Sequence, residues 1–108
     1  MTFSVLLTKD ATHDLEDLYE YISLHDSKAR ADHVLDSIEQ AFVSLAECPD
    51  RGSLPKELLS LGIRDFREIF FKPYRIIYKT TGDKVYVMVI ADGRRDLQTL
   101  LQKRLFRP

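Results

Sequence analysis

Four arginines in the second half of the chain, Arg67, Arg75, Arg94 and Arg95, carry the most specific chemistry the sequence offers. A guanidinium presents a planar fork of donors that meets a phosphate or carboxylate with two hydrogen bonds at once, so the four could form an anion-binding cluster. Lys103, Arg104 and Arg107 add cations near the chain end, where they could face a partner. Plainer assignments stand beside these. Asp65, Glu68, Asp92 and Asp96 lie close enough in sequence to pair with the arginines, and cations in a last helical turn complement the helix dipole. Arg94-Arg95 is the pair most worth testing.

Other chemistry finds little support. His13, His25 and His33 are scattered with no i, i+4 pair among them and none beside Cys48, so no metal ion is expected. A glycine-rich phosphate loop, a nucleophile elbow and zinc-finger spacing are all missing, and no cofactor is expected. Tyr74 and Tyr78 share one face of a strand and could stack on a base, but aromatics in a meander are more often core. Asp14 and Asp17, one turn apart with no basic counterpart evident, read as the wet face of a helix.

The net charge of −1 conceals a segregation. Through Leu54 four basic residues stand against eleven acidic ones; from Pro55 onward twelve basic residues stand against six acidic ones. A local positive surface on a nearly neutral protein, and so an anionic partner, is compatible with this, as is neutralisation of one half by the other across the fold. One cysteine, Cys48, allows no internal disulfide and suits a reducing cytoplasm, where it is expected to pack locally. The apolar run at the N-terminus is too short for a signal peptide, and no run approaches the ~20 residues that span a bilayer. A cytoplasmic location with no membrane partner is expected.

The elements that must position these residues follow from periodicity. At 108 residues, one domain spanning 1–108 is expected. Residues 3–7 suit a short strand. Leu15, Leu18, Tyr19 and Ile22 repeat at helical spacing within an acidic segment, Ala11–Ile22. Asp26 and Ser27 can cap a second helix whose buried stripe is Val34, Leu35, Ile38, Ala41, Phe42 and Leu45, ended by Pro49. The short gap makes an antiparallel helical hairpin able to cover a sheet. Residues 48–62 read as an irregular connection with one helical turn near Glu57–Leu61. Period-two runs at 66–71, 74–79 and 85–90, parted by Lys72-Pro73 and Thr81-Gly82-Asp83, predict an antiparallel meander. Leu97, Leu100, Leu101 and Leu105 return to helical spacing and predict a short basic C-terminal helix within 94–107. The class is therefore α+β with the order β-α-α-β-β-β. The first strand is expected to join the far edge of the meander or to pack separately.

That order, together with Asp14-Leu15-Glu16-Asp17-Leu18-Tyr19-Glu20-Tyr21-Ile22, Arg64-Asp65-Phe66-Arg67-Glu68, Pro73-Tyr74-Arg75-Ile76-Ile77-Tyr78 and Gly93-Arg94-Arg95-Asp96, resembles the RelE/ParE family of toxins from type II toxin-antitoxin systems. The resemblance implies a toxin restrained by a cognate antitoxin. RelE-like members cleave messenger RNA on the ribosome with a basic cluster and commonly a tyrosine; ParE-like members are implicated in inhibiting DNA gyrase. By position Arg67, Arg75 and Arg95 match basic residues of the cleaving branch and could hold phosphate. Ile69 stands where that branch carries a second basic residue, and Leu101 where it carries the tyrosine. Neither transfers a proton, and acid-base groups typically contribute a rate factor on the order of a hundred or more. The resemblance therefore points toward the ParE branch, a binding inhibitor using Arg67, Arg75, Arg94, Arg95, Lys103 and Arg104 against gyrase. A ribosome-dependent endoribonuclease acting on messenger RNA through Arg67, Arg75 and Arg95 is the alternative.

Overall fold

A computed structural model describes residues 2–105. Strand β1, Ser4–Leu7, leads into helix α1, Lys9–His25, at Thr8, whose hydroxyl accepts the Ala11 N–H. Helix α2, Lys28–Glu47, starts at Ser27, whose hydroxyl accepts the Arg30 N–H, and stops at Cys48 before Pro49, which cannot continue the helix. Cys48, expected to pack locally, is exposed at that helix end. The connection holds a 3₁₀ turn, Pro49–Arg51, and one helical turn, α3, Lys56–Leu59. Strands β2, Phe66–Phe71, β3, Tyr74–Thr81, and β4, Lys84–Asp92, then form the meander, and α4, Leu97–Leu105, follows. Arg107 lies outside the described residues.

The sheet order is β1-β4-β3-β2. The meander pairs antiparallel, whereas β1 runs parallel to β4, with Ser4 opposite Lys84 and Leu7 opposite Val87. The first strand thus joins the far edge, and the sheet is mixed.

Each face of the sheet has its own core. The hairpin covers one face, where Ile22, Ala31, Val34, Ile38 and Leu45 meet Ile69, Ile76, Tyr78, Val85, Val87 and Ile90. On the other face Leu58 of α3 and Leu97 and Leu101 of α4 cover Ile77, Val89 and Ala91. Val87 and Val89 have the same parity yet face opposite sides, because the β3–β4 register slips: Ile77 faces Val89, but the next residue, Tyr78, faces Val87. Met88 is the extra residue of this bulge, and the slip turns Val89 and Ala91 to the second core while Ile90 stays on the first.

Candidate functional site

Alternation along β2 decides which basic residues can meet. Arg67 pairs across the ladder with Tyr78, on the hairpin face, while Phe70 pairs with Arg75, on the opposite face. Directly opposed residues share a face. Arg67 and Arg75 therefore point to opposite sides of the sheet, and the three-arginine cluster with Arg95 is not formed. Arg67 instead donates from Nη1 to the Gly52 carbonyl at 2.8 Å. It helps hold the connection along the outer edge of β2, where Ser53 and Glu68 exchange two backbone hydrogen bonds.

Arg75 is likewise committed to the protein itself. Its Nε donates to Glu68 at 2.6 Å, and its Nη1 and Nη2 donate to the two carboxylate oxygens of Glu57 at 2.7 and 2.8 Å. All three side chains are largely buried, with 9, 13 and 6% of Arg75, Glu57 and Glu68 exposed. Hydrogen bonding from Arg75 holds the Glu57 carboxyl below the usual carboxylate range, and the same bonds push the guanidinium further up. Glu68, adjacent in the ladder, was a visible candidate partner; Glu57, 18 residues upstream, was not. Arg75 and Glu68 form one wall of a cleft of 360 Å³ that also includes Lys56, Lys72 and Phe70, itself 56% exposed.

Tyr78 is fully buried, as its meander position suggested. Its hydroxyl donates to the Pro49 carbonyl at 2.6 Å and accepts the Gly52 N–H at 3.1 Å. Gly52 has to be glycine, because a Cβ there would stand 2.6 Å from both the Glu68 carbonyl and the Tyr78 hydroxyl. Tyr74 is half-buried at the rim of the hairpin core, stacked near Phe71.

Past β4 the arginines separate by role. Arg94 lies along Asp92, which accepts from its Nε and Nη2 at 3.0 and 2.7 Å, so its charge is largely answered, although the side chain is 84% exposed. That contact depresses the Asp92 carboxyl below its usual range. Arg95 is exposed and, among the described residues, no carboxylate lies within ion-pair distance of it. Asp96 closes the first turn of α4, accepting from the Thr99 amide at 3.2 Å and its hydroxyl at 2.7 Å. Lys103 is exposed and equally unpaired among the described residues. Arg95 and Lys103 border one shallow depression with Asp96, Thr99 and Leu100, and with the Asp96 carboxylate engaged by Thr99 the two cations make a ridge.

Arg104 and Lys103 are adjacent in sequence, but Arg104 turns toward the protein and Lys103 toward solvent. Leu97, Leu101 and Arg104 stand at i, i+4 and i+7, so Arg104 is the last member of the inward stripe. It donates from Nη2 and Nη1 to the two oxygens of Asp14 at 2.6 and 2.5 Å and from Nη1 to the Met88 carbonyl at 3.3 Å. Asp14 is only 9% exposed and also accepts the Ile90 N–H at 3.0 Å. The expectation that Asp14 lies on a wet helix face without a basic counterpart is corrected: its counterpart is 90 residues away, brought to it by the packing of α4. Asp17, by contrast, is exposed. Helical spacing within α4 was the signal that could have separated Arg104 from Lys103.

A helical hairpin on one face of a mixed four-stranded sheet, with a short helix on the other, is the fold of the RelE/ParE superfamily. A family model described as ParE toxin of type II toxin-antitoxin system, parDE, matches residues 5–97, and the chain belongs to that family. The toxin ParE3 of Caulobacter vibrioides is 28% identical over 100 residues, which cover 93% of this chain and 96% of that one. Among solved structures, the chromosomal ParDE system from P. aeruginosa matches with a TM-score of 0.70 at 17% identity, over 84% of this chain and 96% of that one. A double-arginine mutant of E. coli toxin RelE in the free state matches with a TM-score of 0.66 at 15% identity, over 99 and 98%. These two establish the shared fold. Among the described residues no helix is long and apolar enough to cross a membrane.

Proposed function

We propose that this ParE-family toxin arrests growth by binding DNA gyrase in the cytoplasm, without catalysing a reaction itself, and that a cognate antitoxin neutralises it. The observation that carries the reading is the commitment of Arg75. A nuclease built on this sheet would use that guanidinium to hold phosphate, whereas here two buried carboxylates engage all three of its nitrogens. Arg67 faces the other side of the sheet. Leu101, at the position of the tyrosine in the cleaving branch, is 1% exposed and part of the second core. Of the candidate cations among the described residues, Arg95 and Lys103, with Arg94 beside them, are left to meet a target, and they suit contact with an anionic surface rather than proton transfer.

For the antitoxin, the groove between the hairpin tip and the β2–β3 turn is the seat the geometry favours. It is lined by Tyr21, Ile22, Arg30, Pro73 and Tyr74, and the Tyr21 ring is 60% exposed beside it. A segment disordered when free can place an apolar anchor there and fold as it binds.

The test is a supercoiling and cleavage assay with purified gyrase, comparing the protein with an Arg95→Ala, Lys103→Ala variant. Dose-dependent inhibition that weakens in the variant is the expected result. Unaffected gyrase, together with codon-associated cuts in messages from induced cells, would replace this reading with ribosomal messenger RNA cleavage.

A further inference from the structure

We infer that Asp14 is a positioning residue for the target-facing ridge: through Arg104 it fixes how α4 sits on the sheet, and so where Arg95 and Lys103 stand. The inference rests on the reading that the ridge meets the target. Helix α4 has nine residues, a length that does not hold as a helix in water without tertiary contacts. Its two fully buried anchors, Leu97 and Leu101, press it onto Leu58, Ile77 and Val89. Leu100 and Leu105 pack partly buried beside them, but apolar contact is non-directional, so the leucines hold the helix down while fixing its roll less sharply than a directional bond does. The fork of Arg104 on Asp14 supplies direction, because a bidentate guanidinium-carboxylate pair fixes a plane.

Asp14 can serve as a fixed point because it is itself tied to the sheet. Strand β1 ends at Leu7, opposite Val87, so β4 runs on beyond its neighbour with an uncovered edge. At that edge Ile90 donates its N–H to Asp14, and the Met88 carbonyl accepts from Arg104. The ion pair thus closes the open part of β4, and it is assembled from three elements at once: α1, β4 and α4. Since Lys103 is the residue before Arg104, about a quarter-turn round the same helix, any roll of α4 that breaks the pair also swings the ridge.

Asp14→Asn tests this cleanly, since the amide oxygen still accepts from Ile90 while the charge and the two-oxygen fork are lost. Arg104→Lys keeps the charge and loses the fork, and it guards against a folding defect peculiar to the first variant. Amide hydrogen exchange of α4 reads position, and gyrase inhibition and growth arrest on induction read consequence. In both variants α4 exchange is expected to quicken, inhibition to weaken about tenfold, as for the loss of a charge-assisted bond, and α2 exchange to stay unchanged. Unchanged α4 exchange overturns the inference, and so does a loosened α4 with full inhibition. If the wild-type protein leaves gyrase untouched, the gyrase reading fails separately, and growth arrest judges the inference: arrest that weakens with α4 loosening sustains it, and undiminished arrest overturns it.

Discussion

Replacing Arg75 with alanine removes the one cation that Glu57 and Glu68 share. The two carboxylates are 13 and 6% exposed and would stay in the fold with no bonded cation, Lys56 acting on Glu57 only through space. Breaking a buried ion pair from one side costs about 3–5 kcal/mol, because the remaining charge is stranded away from water. For a domain of this size that corresponds to a drop in Tm on the order of 15–30 °C. The pH response should also invert. In the wild-type protein the Glu57 carboxyl is depressed by its bonds to Arg75, so its contribution to stability is complete above the usual carboxylate range and is lost as the pH falls through the depressed value. In the variant, burial without a partner favours the protonated carboxyl, so stability should rise as the pH is lowered from 7 toward 5. Urea unfolding followed by circular dichroism at a series of pH values measures both effects. A loss under about 1 kcal/mol, or variant and wild-type curves that move in parallel with pH, would refute the claim that the triad is a closed internal network. Glu57→Gln leaves Arg75 its buried partner Glu68 and should cost clearly less than Arg75→Ala.

Three further outcomes follow from the geometry. Arg95→Ala should weaken gyrase inhibition several-fold more than Arg94→Ala, because Asp92 already engages the Arg94 guanidinium; dose-response curves with both proteins at equal Tm would show it. Tyr78→Phe leaves the Pro49 carbonyl and the Gly52 amide without their shared partner and should lower stability by about 1–3 kcal/mol in a denaturant titration. Gly52→Ala should also destabilise and should loosen the Pro49–Ser53 segment, seen as faster proteolysis there, since the added carbon meets backbone that cannot yield.

Local periodicity made the elements legible. The acidic stripe of α1, the caps at the α2 start, Pro49 as a stop and the meander turns all act within a few residues of where they are written, so sequence spacing was enough. The faces were harder. Reading Arg67 and Arg75 as one cluster treated the strands as lines rather than pleated surfaces with a fixed cross-strand register. The bulge at Met88 was invisible because Val85, Val87 and Val89 keep perfect alternation while the ladder slips beneath them. The partners of Arg75 and Arg104, Glu57 and Asp14, come from segments that meet only after the sheet and both cores are assembled. The charge segregation was correctly seen as compatible with pairing across the fold. Asp14 with Arg104 is one such pair, and it takes a cation out of the set expected to face the target.

The parallel seam between β1 and β4 has a temporal consequence. Ser4 leaves the ribosome before Lys84, which it faces in the sheet and which emerges only after β2 and β3 have been made. At 5 to 20 residues per second the first strand waits on the order of 4 to 16 s for its neighbour. Throughout that interval the hairpin stripe has no completed sheet to lie on, and non-local pairing of this kind is slow to form once the chain is free. A nascent chain of this toxin therefore offers its apolar surfaces to other molecules before its own last strand arrives, so synthesis itself opens a window for capture.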